Sequence, residues 1–327
     1  MTVPGVFGST PIDDFLDQST SSTETGGLLQ RIGLFGSMFG VTLAAGLIVF
    51  LATVHRGGRR EVAVILRVIG AAGGVALVGA TIEVAGVAAI GDLGWADALT
   101  DPSGSAPMMR LLAGLLVVLG LFDETVPIGL PADDSADVNA AVSIDTRWVP
   151  TSASAFGFVG AAVGLVSFWF DGHTVSRGPR VVHSIVNLAH VSAGSIWFGG
   201  IVGLVVIGLL RRPTRGSIAP DIIRFSPFAT VALVVVTLAG AVMTTFIVDG
   251  IGDLISTDWG RLLLVKTSAV GIATAIGAYN HFVVVPALEH SDDTAMAKRA
   301  RSTVAVEAAV LAFVVSVTVF LTTASTN

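Results

Sequence analysis

The sequence predicts an all-α, polytopic membrane protein, a bundle of about eight membrane-spanning helices. Composition is the first observation: of 327 residues 53% are hydrophobic and 13% charged, whereas soluble domains carry roughly a quarter charged residues. The second is a mean hydropathy of +0.82. The third is a series of apolar runs at 32–54, 62–84, 107–122, 152–170, 184–210, 227–249, 261–284 and 303–323, most of them close to the ~20 residues that cross a hydrocarbon core as a helix. The third run is the shortest, Met108 to Phe122, and borrows Ser105–Pro107 to reach across. The 38 glycines follow no three-residue period, which excludes collagen, and the apolar content excludes disorder. Cysteine is absent, which excludes disulfides, thiolate zinc sites, iron–sulfur clusters and cysteine nucleophiles. A net charge of −6 without a dense basic patch leaves no electrostatic footprint for nucleic acid.

Three regions are expected along the chain. Residues 1–29 form a polar, acidic, extracytoplasmic segment (Asp13, Asp14, Asp17, Glu24) with no basic stretch ahead of an apolar core. The first apolar run is therefore expected to be a retained helix rather than a cleaved signal. Residues 30–149 give three helices and an acidic loop at 123–149, and residues 150–327 give five helices. Arg56, Arg59, Arg60, Arg147, Arg211, Arg212, Arg215, Arg224, Lys298, Arg299 and Arg301 fall on one side; Arg31, Arg110, Arg177, Arg180 and Arg261 fall on the other. The richer side is cytoplasmic by the positive-inside rule, so both termini are expected outside. Glycine pairs at Gly36/Gly40, Gly70/Gly74, Gly160/Gly164 and Gly199/Gly203 either bring helix backbones together or reflect the general abundance of glycine in membrane helices. Arg224-Phe225-Ser226-Pro227 reads as a helix start, with Ser226 as N-cap and Pro227 in the first turn.

Ionisable residues within or beside the spans are costly and mark functional positions by default. Here they are Arg67, Glu83, His183, His190, Lys266, His281 and Glu307. In the fifth span His183 sits at the outer mouth and His190 two turns deeper on the same face. His173 and Asp171 occupy the short outer loop just before that mouth, and Glu83 lies on the same side. Met38, Met108, Met109 and Met243 also fall toward the outer face. Imidazole and thioether are the ligands left for a soft metal once thiolate is absent, and together they suit copper, Cu(I) above all. Each residue also has a plainer reading: methionine fills gaps and helical histidine bonds a neighbouring helix. Lys266 snorkels to the outer interface. At the inner end Asn280-His281 and Glu307 form either an exit or proton-relay site or a hydrogen-bonded pair holding helices together. P-loop, HExxH, GxSxG and dinucleotide fingerprints are absent from the sequence, so neither nucleotide-driven pumping nor an enzymatic activity is expected.

One set of residues resembles the copper resistance protein D (CopD) family. It comprises Gly172-His173, then His190 with Trp197-Phe198-Gly199-Gly200, then Arg224-Phe225-Ser226, then Trp259 through Lys266, with Asn280, Pro286 and Glu307 completing it. Order and spacing across 171–323 carry the likeness; the first three spans match in number and hydrophobicity alone. The resemblance implies an eight-helix protein of the cytoplasmic membrane that moves copper inward, with His173 and His190 as copper contacts. Trp197, Lys266 and Asn280 are positions of the family pattern. Many members are fused to, or paired with, a periplasmic copper-binding β-sandwich of CopC type. None is expected in these residues, so a separate CopC-type protein is the implied partner. The usual Tyr-Gly before the seventh span is Trp259-Gly260 here.

The expected function is a copper permease. Copper meets Asp171, His173 and His183, passes to His190 with help from Met38 or Met243, and leaves near His281 and Glu307. A copper-delivery or assembly subunit and a b-type haem protein are the alternatives. The haem reading is weakened because His183 and His190 share one helix and cannot clamp a single haem.

Overall fold

The computed structural model describes residues 11–120, 148–170, 179–211, 218–248, 250–290 and 294–323. Eight principal helices follow in order: α1 Pro11–Thr53, α2 Arg59–Gly91, α3 Ser105–Leu119, α4 Ser154–Ser167, α5 Arg180–Leu210, α6 Ala219–Ile247, α7 Asp258–Tyr279 and α8 Thr294–Thr323. Among the described residues seven helical stretches are long and apolar enough to span a membrane. The exception is the stretch Ser154–Phe170, which holds α4. The third run, shortest in the sequence, gains length from a 3-10 turn at Pro102–Gly104 that leads straight into α3. Side chains of the acidic loop at 123–147, and Asp171 and His173, lie outside the described residues.

Helix ends follow local chemistry. Asp92 closes α2 in the left-handed conformation, φ 49°, and its N–H bonds the Ala88 carbonyl; a short polar side chain tolerates that conformation better than a bulky one. Thr257 caps α7 by accepting from the Gly260 N–H. The start expected at Ser226-Pro227 is not a helix start. α6 begins earlier, at Ala219, with Pro220 in its first turn and Pro227 inside. Asp221 pairs with Arg211 and Arg224 bonds the Val54 carbonyl at the bundle end, which gives this extra turn tertiary support, and Pro220 supplies the first-turn proline.

α1 and α5 form the centre. Within their spans 72% and 56% of residues are enclosed, against 11% for both α6 and α7, which present apolar faces outward. One continuous cluster runs from Leu47, Phe50 and Leu51 of α1 through Trp197, Ile201 and Leu204 of α5 to Phe225, Ala273 and Val304. Lipid offers no hydrophobic drive for this association, so close backbone packing supplies it. At the α1–α5 crossing, a Cβ on Gly46 would fall 1.8 Å from the Ser195 carbonyl oxygen, and one on Gly199 2.4 Å from the Gly46 backbone. Gly36 and Gly40 meet α2, while Gly160 and Gly164 meet α3 and α1. Gly74 faces open space, so abundance explains that glycine, and packing explains Gly36, Gly40, Gly160, Gly164, Gly199 and Gly203.

This contrast yields a test. Gly46→Ala is expected to lower stability by about 1–3 kcal/mol, because both colliding atoms are backbone. Gly74→Ala is expected to be neutral or to stabilise by up to about 1 kcal/mol. Thermal melting of the detergent-purified protein distinguishes the two.

Candidate functional site

Polar side chains gather at three levels of the bundle. The first lies between α5 and α6. The His190 ring Nδ1 is 3.0 Å from the Val236 carbonyl oxygen. A carbonyl only accepts, so Nδ1 carries the proton and Nε2 keeps its lone pair. The imidazole rests in the space opened by Gly240, where a Cβ would meet ring Cε1 at 3.3 Å. His183, fully buried at the start of α5, packs its ring against Phe246 at 5.5 Å. Val236, Gly240 and Met243 recur at helical spacing, so Met243 shares the α6 face turned toward α5. The two helices run antiparallel, which places Met243 at a level between His190 and His183. Lys266 of α7 brings its charge within range of His190. Its position is half-buried rather than fully exposed. Met38 sits elsewhere, in a buried cluster with Val41, Ala76, Phe168 and Val319 that meets α5 through Val191.

The chain flanking the Asp171 and His173 loop is anchored beside this level. Asn187 donates to the Phe168 carbonyl at 2.8 Å. At the same end an ion pair crosses the N-terminal helices: Arg110 Nη1 lies 2.9 Å from Glu83 Oε1. Ser37 donates to Glu83 at 2.8 Å, Arg110 Nε to Ser167 at 3.2 Å, and the guanidinium stands 5.0 Å from the centre of the Phe168 ring. By sequence position Arg110 is an outer flank charge. The structure buries it completely. The available signal was the matching carboxylate, Glu83, at similar depth in the neighbouring span.

The second level is the core between α5, α7 and α8. Trp197 Nε1–H donates to Glu307 Oε1 at 3.1 Å, and Asn280 also hydrogen-bonds this carboxylate. Thr303 in turn donates to Asn280 Oδ1. Gly277 leaves room for the Glu307 head, since a Cβ there would lie 3.3 Å from Oε1. Asn280 opens a π-helical turn, Asn280–Val284, that precedes Pro286. Proline cannot bond the carbonyl four residues back, and the wider turn accommodates it. His281 does not join Glu307. It turns to α6, where Nδ1 lies 2.8 Å from Ser226 Oγ.

The third level joins residues far apart in the sequence. At the Arg-rich end, Arg211 grips Glu61 through two bonds of 2.8 Å and Asp221 through one of 2.7 Å. Arg224 also reaches Asp221, at 2.8 Å, and bonds the Val54 carbonyl. Arg301 of α8 donates to the Arg211 carbonyl, closing the end of α5. The bonds to Glu61 hold the Arg211 guanidinium above its ordinary pKa. Buried among these charges is His55. Ends of α1, α2, α5, α6 and α8 thus meet at one face. Among the described residues no three imidazoles and carboxylates cluster as ligands for one ion.

The ion pair generates a prediction. Glu83→Gln or Arg110→Met alone leaves a buried charge without its main partner and is expected to cost about 3–5 kcal/mol. The double variant is expected to recover most of that loss in thermal melting.

A family model described as copper resistance protein D matches residues 220–321. Among curated proteins, the chain is 31% identical over 117 residues to "Copper transport protein CutJ" of Bacillus subtilis, covering 35% of this chain and 21% of that protein. It is 29% identical over 127 residues to "Inner membrane protein YebZ" of Escherichia coli, covering 38% and 43%. It is 27% identical over 206 residues to "Copper resistance protein D" of Pseudomonas syringae pv. tomato, covering 58% and 66%. The chain therefore spans between a fifth and two thirds of these relatives. No solved structure matches.

Proposed function

We propose that the chain, which matches the copper resistance protein D family model over residues 220–321, is a multi-pass copper-handling protein of the cytoplasmic membrane and a permease carrying copper inward. The observation that carries this reading is the His190 ring, whose Nδ1 is committed to the Val236 carbonyl and whose Nε2 is thereby prepared as a metal ligand. His183 lies seven residues toward the mouth on the same face, a rise of about 10 Å, and Met243 stands between the two levels. Asp171 and His173, just before this mouth in the sequence, complete the receiving set. Sites of two or three ligands in series bind weakly enough to release their cargo, as transport requires.

With the Arg-rich end placed in the cytoplasm by the positive-inside rule, both termini are outside and copper enters at the His183 end. Trp197 continues the stripe of His183 and His190 two turns deeper, and its partner Glu307 offers a carboxylate to a cation descending past it. His281 and Ser226 link α7 to α6 near the exit. Lys266, near His190, repels a second cation while the first is bound. The chemistry needs no bond-making step, so no enzymatic activity is proposed. A separate CopC-type protein suits the delivery of copper to the mouth.

The test is copper loading of proteoliposomes containing the purified protein alone. Wild type is expected to load unaided, and His190→Ala to lose roughly tenfold or more of its rate, equivalent to about 1.4 kcal/mol of lost coordination. Met243→Leu is expected to fall between them. Copper binding without loading would favour a delivery subunit instead. Loading that is indifferent to His190 would overturn the assigned path.

A further inference from the structure

We propose that His55 is a proton-binding site at the Arg-rich end of the bundle, an imidazole that takes up a proton between Glu61 and Asp221. The ring is fully buried and neither nitrogen has a hydrogen-bond partner. Neutral imidazole has one donor and one acceptor, and burying both unsatisfied is costly. Both sides of the ring nevertheless face carboxylates. Nε2 is 3.6 Å from Glu61 Oε2, and Nδ1 is 3.8 Å from Asp221 Oδ1. Carboxylates present only acceptors, so a proton added to the ring creates a second N–H that also has a carboxylate to face.

Two further features favour a cation there. His55 directly follows the last turn of α1, and its N–H bonds the Phe50 carbonyl, so it stands where the helix dipole is negative. Gly57 leaves the space needed: a Cβ would lie 2.2 Å from Glu61 Oε2 and 2.8 Å from His55 Nε2. Opposing these are Arg211 and Arg224, which already neutralise Glu61 and Asp221. Burial pulls the His55 pKa below 6.5, Asp221 and Glu61 pull it back up, and the two arginines push it down. Arg56 bonds the His55 carbonyl, and Arg301 holds the Arg211 carbonyl.

Proton uptake and the arginine clasp are therefore linked. The proton draws Glu61 and Asp221 toward the ring and away from Arg211, loosening the hold of α5 on α2 and α6. Conversely, a fully clasped Arg211 keeps His55 neutral. The ligand is a proton, and the site stands apart from the copper path, so its test uses no copper.

The experiment is nuclear magnetic resonance of the full chain in lipid nanodiscs, with histidine isotopically labelled, titrated from about pH 8 to about pH 4. The His55 signal is identified by its loss in His55→Gln. It is expected to be neutral at the alkaline end and to titrate with a midpoint below 6.5. In Glu61→Gln that midpoint is expected to fall by about one further pH unit, because a supporting carboxylate is gone. Asp221→Asn gives the second comparison should Glu61→Gln fail to fold. A depressed pKa also stabilises the fold fully above 6.5 and loses that contribution as pH falls toward the folded-state midpoint. Thermal stability of the wild type is thus expected to drop more on acidification than that of His55→Gln. A His55 signal that does not titrate while the protein stays folded would overturn the proposal. So would a midpoint unmoved by both carboxylate variants.

Discussion

Inside a bilayer a polar side chain has no water to fall back on, so each one must find its partner within the protein: hydroxyls such as Thr42 and Ser195 bond carbonyls of their own helix, and the ionisable groups reach other helices. This constraint organises the molecule. Glu83 is answered by Arg110 and Ser37, Glu307 by Trp197 and Asn280, and His190 by the Val236 carbonyl. Every one of these links joins different helices. The polar groups that carry the proposed chemistry therefore also fix which helices are neighbours.

Close glycine packing makes such partnerships reachable. The contact between Gly46 and Gly199 lets α1 and α5 approach until backbone meets backbone. α5 then carries a stripe of residues seven apart, His183, His190 and Trp197, and Arg211, fourteen residues beyond Trp197, caps its far end. The slow drift of that stripe around the helix, about 20° per seven residues, lets it address α6 at His190 and α8 at Trp197. A single rigid helix thereby connects the candidate copper contacts to the charged clasp at the Arg-rich end.

Much of this was legible in the sequence. Apolar runs located the helices because span length is set by the hydrocarbon thickness. Scarcity of charge made His190, Glu83 and Glu307 conspicuous, and of the family likeness read across 171–323 the part from Arg224 to Glu307 falls within the matched segment 220–321, while His173, His190 and Trp197 lie before it. Partner choice was not legible. Arg110 looks like an interfacial charge until α2 and α3 are seen side by side, and His281 looks like a partner for Glu307 until Ser226 takes it. His55 escaped notice because it lies beyond the end of a span, and its setting comes from residues as distant in sequence as Asp221. The helix start expected at Pro227 failed for a similar reason, since α6 begins at Ala219, where Asp221 pairs with Arg211 and Arg224 bonds the Val54 carbonyl of α1's end.

The central claim is that copper is held by imidazole and thioether where α5 meets α6. X-ray absorption of the purified protein loaded with Cu(I) addresses it most directly, because nitrogen and sulfur neighbours scatter differently. The account predicts a coordination shell containing both nitrogen and sulfur, with the sulfur contribution lost in Met243→Leu and the nitrogen contribution reduced in His190→Ala. A shell of oxygen alone, or one identical in all three proteins, would contradict it.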